Sequence, residues 1–137
     1  NPTLLNTFCL RLINQNLEDI SEKEILSYMK KNYSAALIKT YLKINHSDPQ
    51  KPLKKINQWI KNYGNQPELL TSAAKICKKA KLWDQAKDFI EEAINVNPST
   101  ENFFILGEIL FHFGKIDSAC ETYRKGLKIK ITNESNE

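Results

Sequence analysis

Apolar positions along this chain recur at intervals of three and four, the spacing that gathers side chains on one face of an α-helix. The clearest stretch is Pro67 to Pro98, PELLTSAAKICKKAKLWDQAKDFIEEAINVNP. Leu70, Ala73, Ala74 and Cys77 share one face, and after a turn near Leu82 so do Ala86, Ile90, Ala93 and Ile94. Two short amphipathic helices, folded back on each other, are predicted. Ala74, Ala86 and Ala93 fall where two helix backbones must approach closely, and a larger side chain there would force the pair apart. Pro98 stops the second helix.

The same pattern returns. An offset of 33 carries Leu70 to Phe103, Ala73 to Leu106, Ala74 to Gly107, Cys77 to Leu110, Ala86 to Ala119, Ile90 to Tyr123 and Ala93 to Gly126. Backwards, the first helix realigns at 33 (Leu37, Tyr41, Ile44) and the second at 34 (Pro52, Ile56, Trp59). A fourth copy lies at the start, in Leu5, Phe8, Cys9 and Leu12, then Ser21, Ile25 and Tyr28. The order of large, small and proline positions resembles the tetratricopeptide repeat (TPR), with its period of roughly 34 residues. Leu70 stands in place of its usual Trp and Cys77 in place of its Tyr. The first two copies are degenerate, since Tyr41 and Trp59 occupy places where small residues are usual.

The expected fold is therefore all-α, a right-handed α-solenoid of about four TPR-like hairpins over residues 2–31, 34–64, 67–97 and 100–131, forming a single domain 1–131. Thr132 to Glu137 reads as a frayed polar tail. Several boundaries follow from local chemistry. Asp48 before Pro49 is a good helix cap, Gly64 ends the fourth helix, Gly114 turns the last hairpin, and Ser99 or Thr100 caps its first helix. The second helix could start at Ser21, through a capping box with Glu24, or nearer Leu17, as the repeat register prefers.

A length of 137 residues suits one domain, and four copies meet the three or so that stacked repeats need. The longest apolar run, Phe103 to Phe113, holds Gly107, Glu108 and His112 and falls short of the ~20 residues a membrane helix takes. The piece is expected to be soluble. It starts at Asn1 without Met and reads as part of a longer protein. Cys9, Cys77 and Cys120 lie on predicted helices without CxxC spacing and read as reduced, buried thiols. A net charge of +4 permits an acidic partner or an anionic membrane surface without requiring either.

In such an array the first helix of each hairpin lines a concave wall, and the register picks its exposed positions. They include Asn6, Leu10 and Ile13; Ile38, Leu42 and His46; Thr71, Lys75, Lys78 and Lys79; Phe104, Glu108, Phe111 and His112. Leu10, Ile13, Ile38, Leu42, Phe104 and Phe111 would make an apolar floor, fit for an amphipathic helix or extended peptide, unless the array's curvature closes them against one another. Lys75, Lys78 and Lys79 could hold carboxylates or phosphates, or simply form a solvated helix face. The Lys and Asn pair with which chaperone-tail TPR domains clamp a terminal carboxylate is replaced by Asn6 and Leu10.

Catalysis finds no footing in this pattern. No Gly-rich phosphate loop, GxSxG elbow or HExxH occurs, and His46 and His112 lack neighbours at metal-ligand spacing. No catalytic residue, metal or cofactor is expected. As haem ligands His46, His112 or Cys77 would each need an apolar pocket besides. Single-stranded RNA would need aromatics along a basic groove, and only the third repeat is basic, so no nucleic-acid partner is expected.

Whole blocks carry a second resemblance. Tyr33, Leu37 to Tyr41, the Asp48–Pro49 pair, WIKNYGNQPELL, LWDQAKDFIEEAI and the closing YRKGL follow one another as in the C-terminal TPR region of the HemY-type family of proteobacterial haem biosynthesis, which this chain resembles over most of its length. It departs from that family in low Ala and Leu and high Lys and Asn content. The resemblance implies an inner-membrane protein, anchored by two helices upstream of this domain, whose soluble part faces the cytoplasm. It implies a non-catalytic scaffold that organises late enzymes of protohaem synthesis, the alternatives being direct haem or porphyrin binding or an adaptor unrelated to haem. It carries over no catalytic residues.

Overall fold

A computed structural model describes residues 1–135, which form eight α-helices and no strand. In chain order these are α1 (Pro2–Asn14), α2 (Glu18–Met29), α3 (Ala35–Lys43), α4 (Gln50–Tyr63), α5 (Pro67–Lys79), α6 (Trp83–Val96), α7 (Thr100–His112) and α8 (Ile116–Ser135). They group into two compact units, Asn1–Gly64 and Asn65–Glu137, each of two helical hairpins.

The local stops and starts follow from side-chain chemistry. Ser99 caps α7, its hydroxyl accepting from Asn102 N at 3.1 Å, and Ser34 caps α3 through Leu37 N at 3.3 Å. The Asp48 carboxylate accepts from Gln50 N at 3.0 Å, and α4 starts just past Pro49. Gly64 closes α4 at φ 82°, a left-handed conformation that favours glycine. Helix α2 begins after Leu17, where the repeat register places it. Ser21 is no cap; fully buried, it donates to the Cys9 carbonyl at 3.1 Å and ties α2 to α1. Helix α8 continues past Ile131 to Ser135, because nothing in Thr132 to Ser135 is a Pro or Gly that would break it. Asn136 and Glu137, the end of the expected tail, lie outside the described residues.

Three of the four hairpins share one turn. Leu17 N donates to Leu12 O (2.8 Å), Leu82 N to Cys77 O (2.8 Å) and Lys115 N to Leu110 O (3.0 Å), each spanning a left-handed residue: Asn16 (φ 61°), Lys81 (φ 62°) and Gly114 (φ 77°). This is the six-residue closure that satisfies orphan carbonyls at a helix end. The α3–α4 hairpin lacks it. Its first helix is only nine residues long, and the connection is held from α2, where Glu18 accepts from Asn45 N at 2.9 Å.

Packing divides by side-chain size. In unit 2, Ala73, Ala74, Ala86 and Ala93 are fully buried, and α5 and α6 run backbone to backbone. Helices α7 and α8 meet through glycine: a Cβ on Gly107 would stand 2.7 Å from the Tyr123 ring, and one on Gly126 3.0 Å from the Phe104 ring. In unit 1 the backbones of α3 and α4 hardly come within 8 Å of each other. The Tyr41 and Trp59 rings fill the space between them, edge to face at 5.2 Å.

Candidate functional site

Helices α5 and α7, the first helices of their hairpins, lie side by side in unit 2. Their spacing is set by Asn102, which is buried: its carbonyl accepts from the Thr71 hydroxyl at 2.8 Å and its amide donates to Asn97 O at 3.0 Å. A buried amide satisfied on both sides fixes register as well as distance. Thr71, expected on the open wall, is consumed by this bond.

Beside this bond the two helices frame an open trough of about 930 Å³, lined by Lys75, Lys78 and Lys79 from α5, by Thr100, Glu101, Phe104, Ile105 and Glu108 from α7, and by Lys130 from α8. Its floor is apolar. The Phe104 ring, half-buried, stands edge-on to Tyr123 at 5.7 Å and lies along Gly126. The walls are ionic: Lys75 pairs with Glu101, and Lys78 with Glu108 at 2.8 Å. Two of these three lysines are thus paired with carboxylates on the neighbouring helix. Lys79 stays exposed, and the trough keeps a positive balance of four lysines to two glutamates.

The other expected floor residues fare unequally. Phe111 projects from α7 and is 61% exposed. In unit 1, Leu10, Ile13 and Leu42 are half-buried. Ile38 is a correction: it is completely buried, and offers nothing to a partner. Two residues on, Thr40 donates to the Asn6 side chain and so ties α3 to α1.

None of the three haem-ligand candidates lines the trough. A ring nitrogen of His46 lies 3.3 Å from the Tyr41 carbonyl, with its ring against the Tyr41 ring. His112 is stacked on Trp83 at 3.8 Å. Cys77 is buried, and burial pushes its thiol up to about 11, so it is protonated and a poor ligand at neutral pH. Cys9 is shifted upward as well, chiefly by burial, whereas Cys120 is exposed rather than buried as expected. No group of His, Cys, Asp and Glu that could hold a metal ion occurs among the described residues, nor any helix long and apolar enough to cross a membrane.

Glu101, Thr100, Ile105, Asn102 and Lys130 were not among the residues picked from the register. A signal for some of them exists. Partners across adjacent first helices stand 26 to 31 apart, as in Lys75 with Glu101, Lys78 with Glu108 and Thr71 with Asn102, in each case short of the 33-residue repeat.

Known proteins agree with this architecture. Residues 100–130 match the tetratricopeptide repeat family. Protein HemY of Escherichia coli (strain K12) is 24% identical over 122 residues, 89% of this chain, and protein HemY of Shigella flexneri matches equally. The chain spans 31% of the length of those relatives. Among solved structures, a crystal structure of MamA superposes with a TM-score of 0.77 at 14% identity, covering 98% of this chain and 81% of that one. A second, of MamA protein, gives 0.73 at 14% identity over all of this chain and 77% of the other. The fold is thus that of the TPR helical arrays, as the 33-residue offset predicts.

Proposed function

We propose that this chain is a non-catalytic protein-interaction scaffold whose α5–α7 trough docks a segment of a partner protein. The observation that carries this reading is the trough, with an apolar floor at Phe104 and ionic walls of positive balance, together with Phe111, which stands exposed beyond it on the same helix. Neither hairpin needs Phe111 in the open for its own stability. An apolar side chain of the partner would seat on Phe104 while its carboxylates meet Lys79 and Lys130. Full burial of one such side chain yields about 1.5–3 kcal/mol, and ordering the segment offsets part of that, so micromolar affinity, about 8 kcal/mol, requires several such contacts along the segment.

The finer reading is that the partners are late enzymes of protohaem synthesis, organised at the inner membrane through a segment outside this chain. The order of blocks shared with the HemY-type family and the similarity to protein HemY over 89% of the chain support it. Scaffolding of this kind would keep unstable porphyrin intermediates close to the next active site. Binding of the chain to purified late haem-pathway enzymes, followed by light scattering or interferometry, tests both parts. Capture of one of them, lost in Phe104→Glu and in Phe111→Glu while circular dichroism stays helical, is the expected result. Capture unchanged by both substitutions would remove the trough as the site, and capture of none would remove the haem-pathway assignment.

A further inference from the structure

The net charge of the chain is unevenly held. Residues 1–64 carry ten basic and five acidic side chains, and residues 65–137 carry ten and eleven, so +5 and −1 make up the overall +4. Helix α4 contributes Lys51, Lys54, Lys55 and Lys61 and no acid. Its apolar face, Pro52, Leu53, Ile56 and Trp59, is buried. The basic face is therefore the one turned to water.

Between α2 and α4 the large Trp59 side chain leaves a cleft of about 460 Å³, within the range of small-molecule sites. Met29 and Trp59, both almost wholly buried, form its base, and Lys23 and Lys30, two helical turns apart on α2, face Lys55 on α4. No acidic residue lines it. Among the described residues none of these three lysines forms an ion pair, in contrast to Lys75 and Lys78 of unit 2. Gln58 takes the Lys55 ammonium on its carbonyl oxygen at 3.0 Å, which leaves its amide N–H groups as donors, and the Asn62 side chain adds another amide. Three ammonium groups and two amides around one apolar base make a donor-rich site with no carboxylate to compete.

We propose that this cleft binds a phosphate-bearing anion, with Lys23, Lys30 and Lys55 neutralising the phosphate. Lysines act here as movable point charges, each able to reach a phosphate oxygen from its own helix. A soluble phosphate ester and a phospholipid headgroup share this chemistry. The site is separate from the α5–α7 trough and does not depend on the scaffold reading.

Two titrations at low salt distinguish the sources: inorganic pyrophosphate by calorimetry, and co-sedimentation with vesicles of phosphatidylglycerol and phosphatidylcholine against phosphatidylcholine alone. Saturable binding is expected in at least one arm, pyrophosphate alone marking a soluble ester and the anionic vesicles alone a headgroup. Lys23→Gln with Lys30→Gln and Lys55→Gln should weaken it roughly tenfold or more, while an equal charge loss in the α7–α8 hairpin, Lys115→Gln with Lys125→Gln and Lys128→Gln, should change it less than about twofold. Gln keeps the helix propensity of Lys, and Lys55→Gln alone, expected to weaken binding about threefold, serves if the triple variant melts early. Equal loss in both triple variants, no loss in Lys55→Gln beside a wild-type fold, or no saturable binding in either arm would overturn the site.

Discussion

The α3–α4 hairpin of unit 1 and the α7–α8 hairpin of unit 2 hold equivalent places in the repeat, and they fill them in opposite ways. In α7–α8 the helices touch through Gly107 and Gly126, and the bulk is supplied by Tyr123 and Phe104 reaching over those gaps. In α3–α4 the bulk stands in the gap itself, as Tyr41 against Trp59, and the backbones stay apart. The lesson is that the register specifies where helices face each other, while side-chain volume specifies how far apart they settle.

If volume sets the separation, removing it should hurt unit 1 most. Trp59→Ala, which deletes a buried ring with no small residue able to close the space, is expected to cost about 3–5 kcal/mol in chemical denaturation. A loss below ~1 kcal/mol would mean that α3 and α4 collapse onto each other and that the spacing is not held by the rings. The reverse change probes unit 2. Gly107→Leu drives a branched side chain into the Tyr123 ring and should cost about 2–3 kcal/mol, with part of the loss recovered when Tyr123→Ala is added. Simple additivity of the two changes would show that the ring and the glycine do not answer to each other.

The smallest expected effect concerns the turn that three hairpins share and α3–α4 lacks. Lys81 holds the left-handed conformation that Gly114 adopts freely one repeat later. Lys81→Gly should stabilise the chain by about 0.5–1 kcal/mol, read as a higher melting temperature, despite the greater freedom of glycine in the unfolded state. Destabilisation would indicate that the Lys81 stem packs usefully on the turn.

Helical spacing made much of this legible. Ala74, Ala86 and Ala93 were recognisable as contact points because small residues recur at positions where size is constrained, and each is fully buried. Asp48, Gly64 and Ser99 announced the ends of helices because capping is local chemistry, complete within three or four residues. The wall was harder to read. Ile38 sits at a position that the register leaves open, yet it is completely buried, and no pattern within one repeat records a bond across 34 residues such as the one by which Thr40 ties α3 to α1. The lysines of α5 look like a uniform basic run until Glu101 and Glu108 arrive from the next helix. Side chains that depend on a neighbour in another repeat are the ones a single-repeat template cannot rank.

The shared turn bears on how such a chain can change over generations. Because Leu17, Leu82 and Lys115 each close it with a main-chain amide, the residue at its centre is free to be asparagine, lysine or glycine. Mutation at that spot alters cost without altering shape. A corner fastened by backbone alone lets the lettering of a repeat wander far while its geometry survives, as the 14% identity of a superposable MamA illustrates.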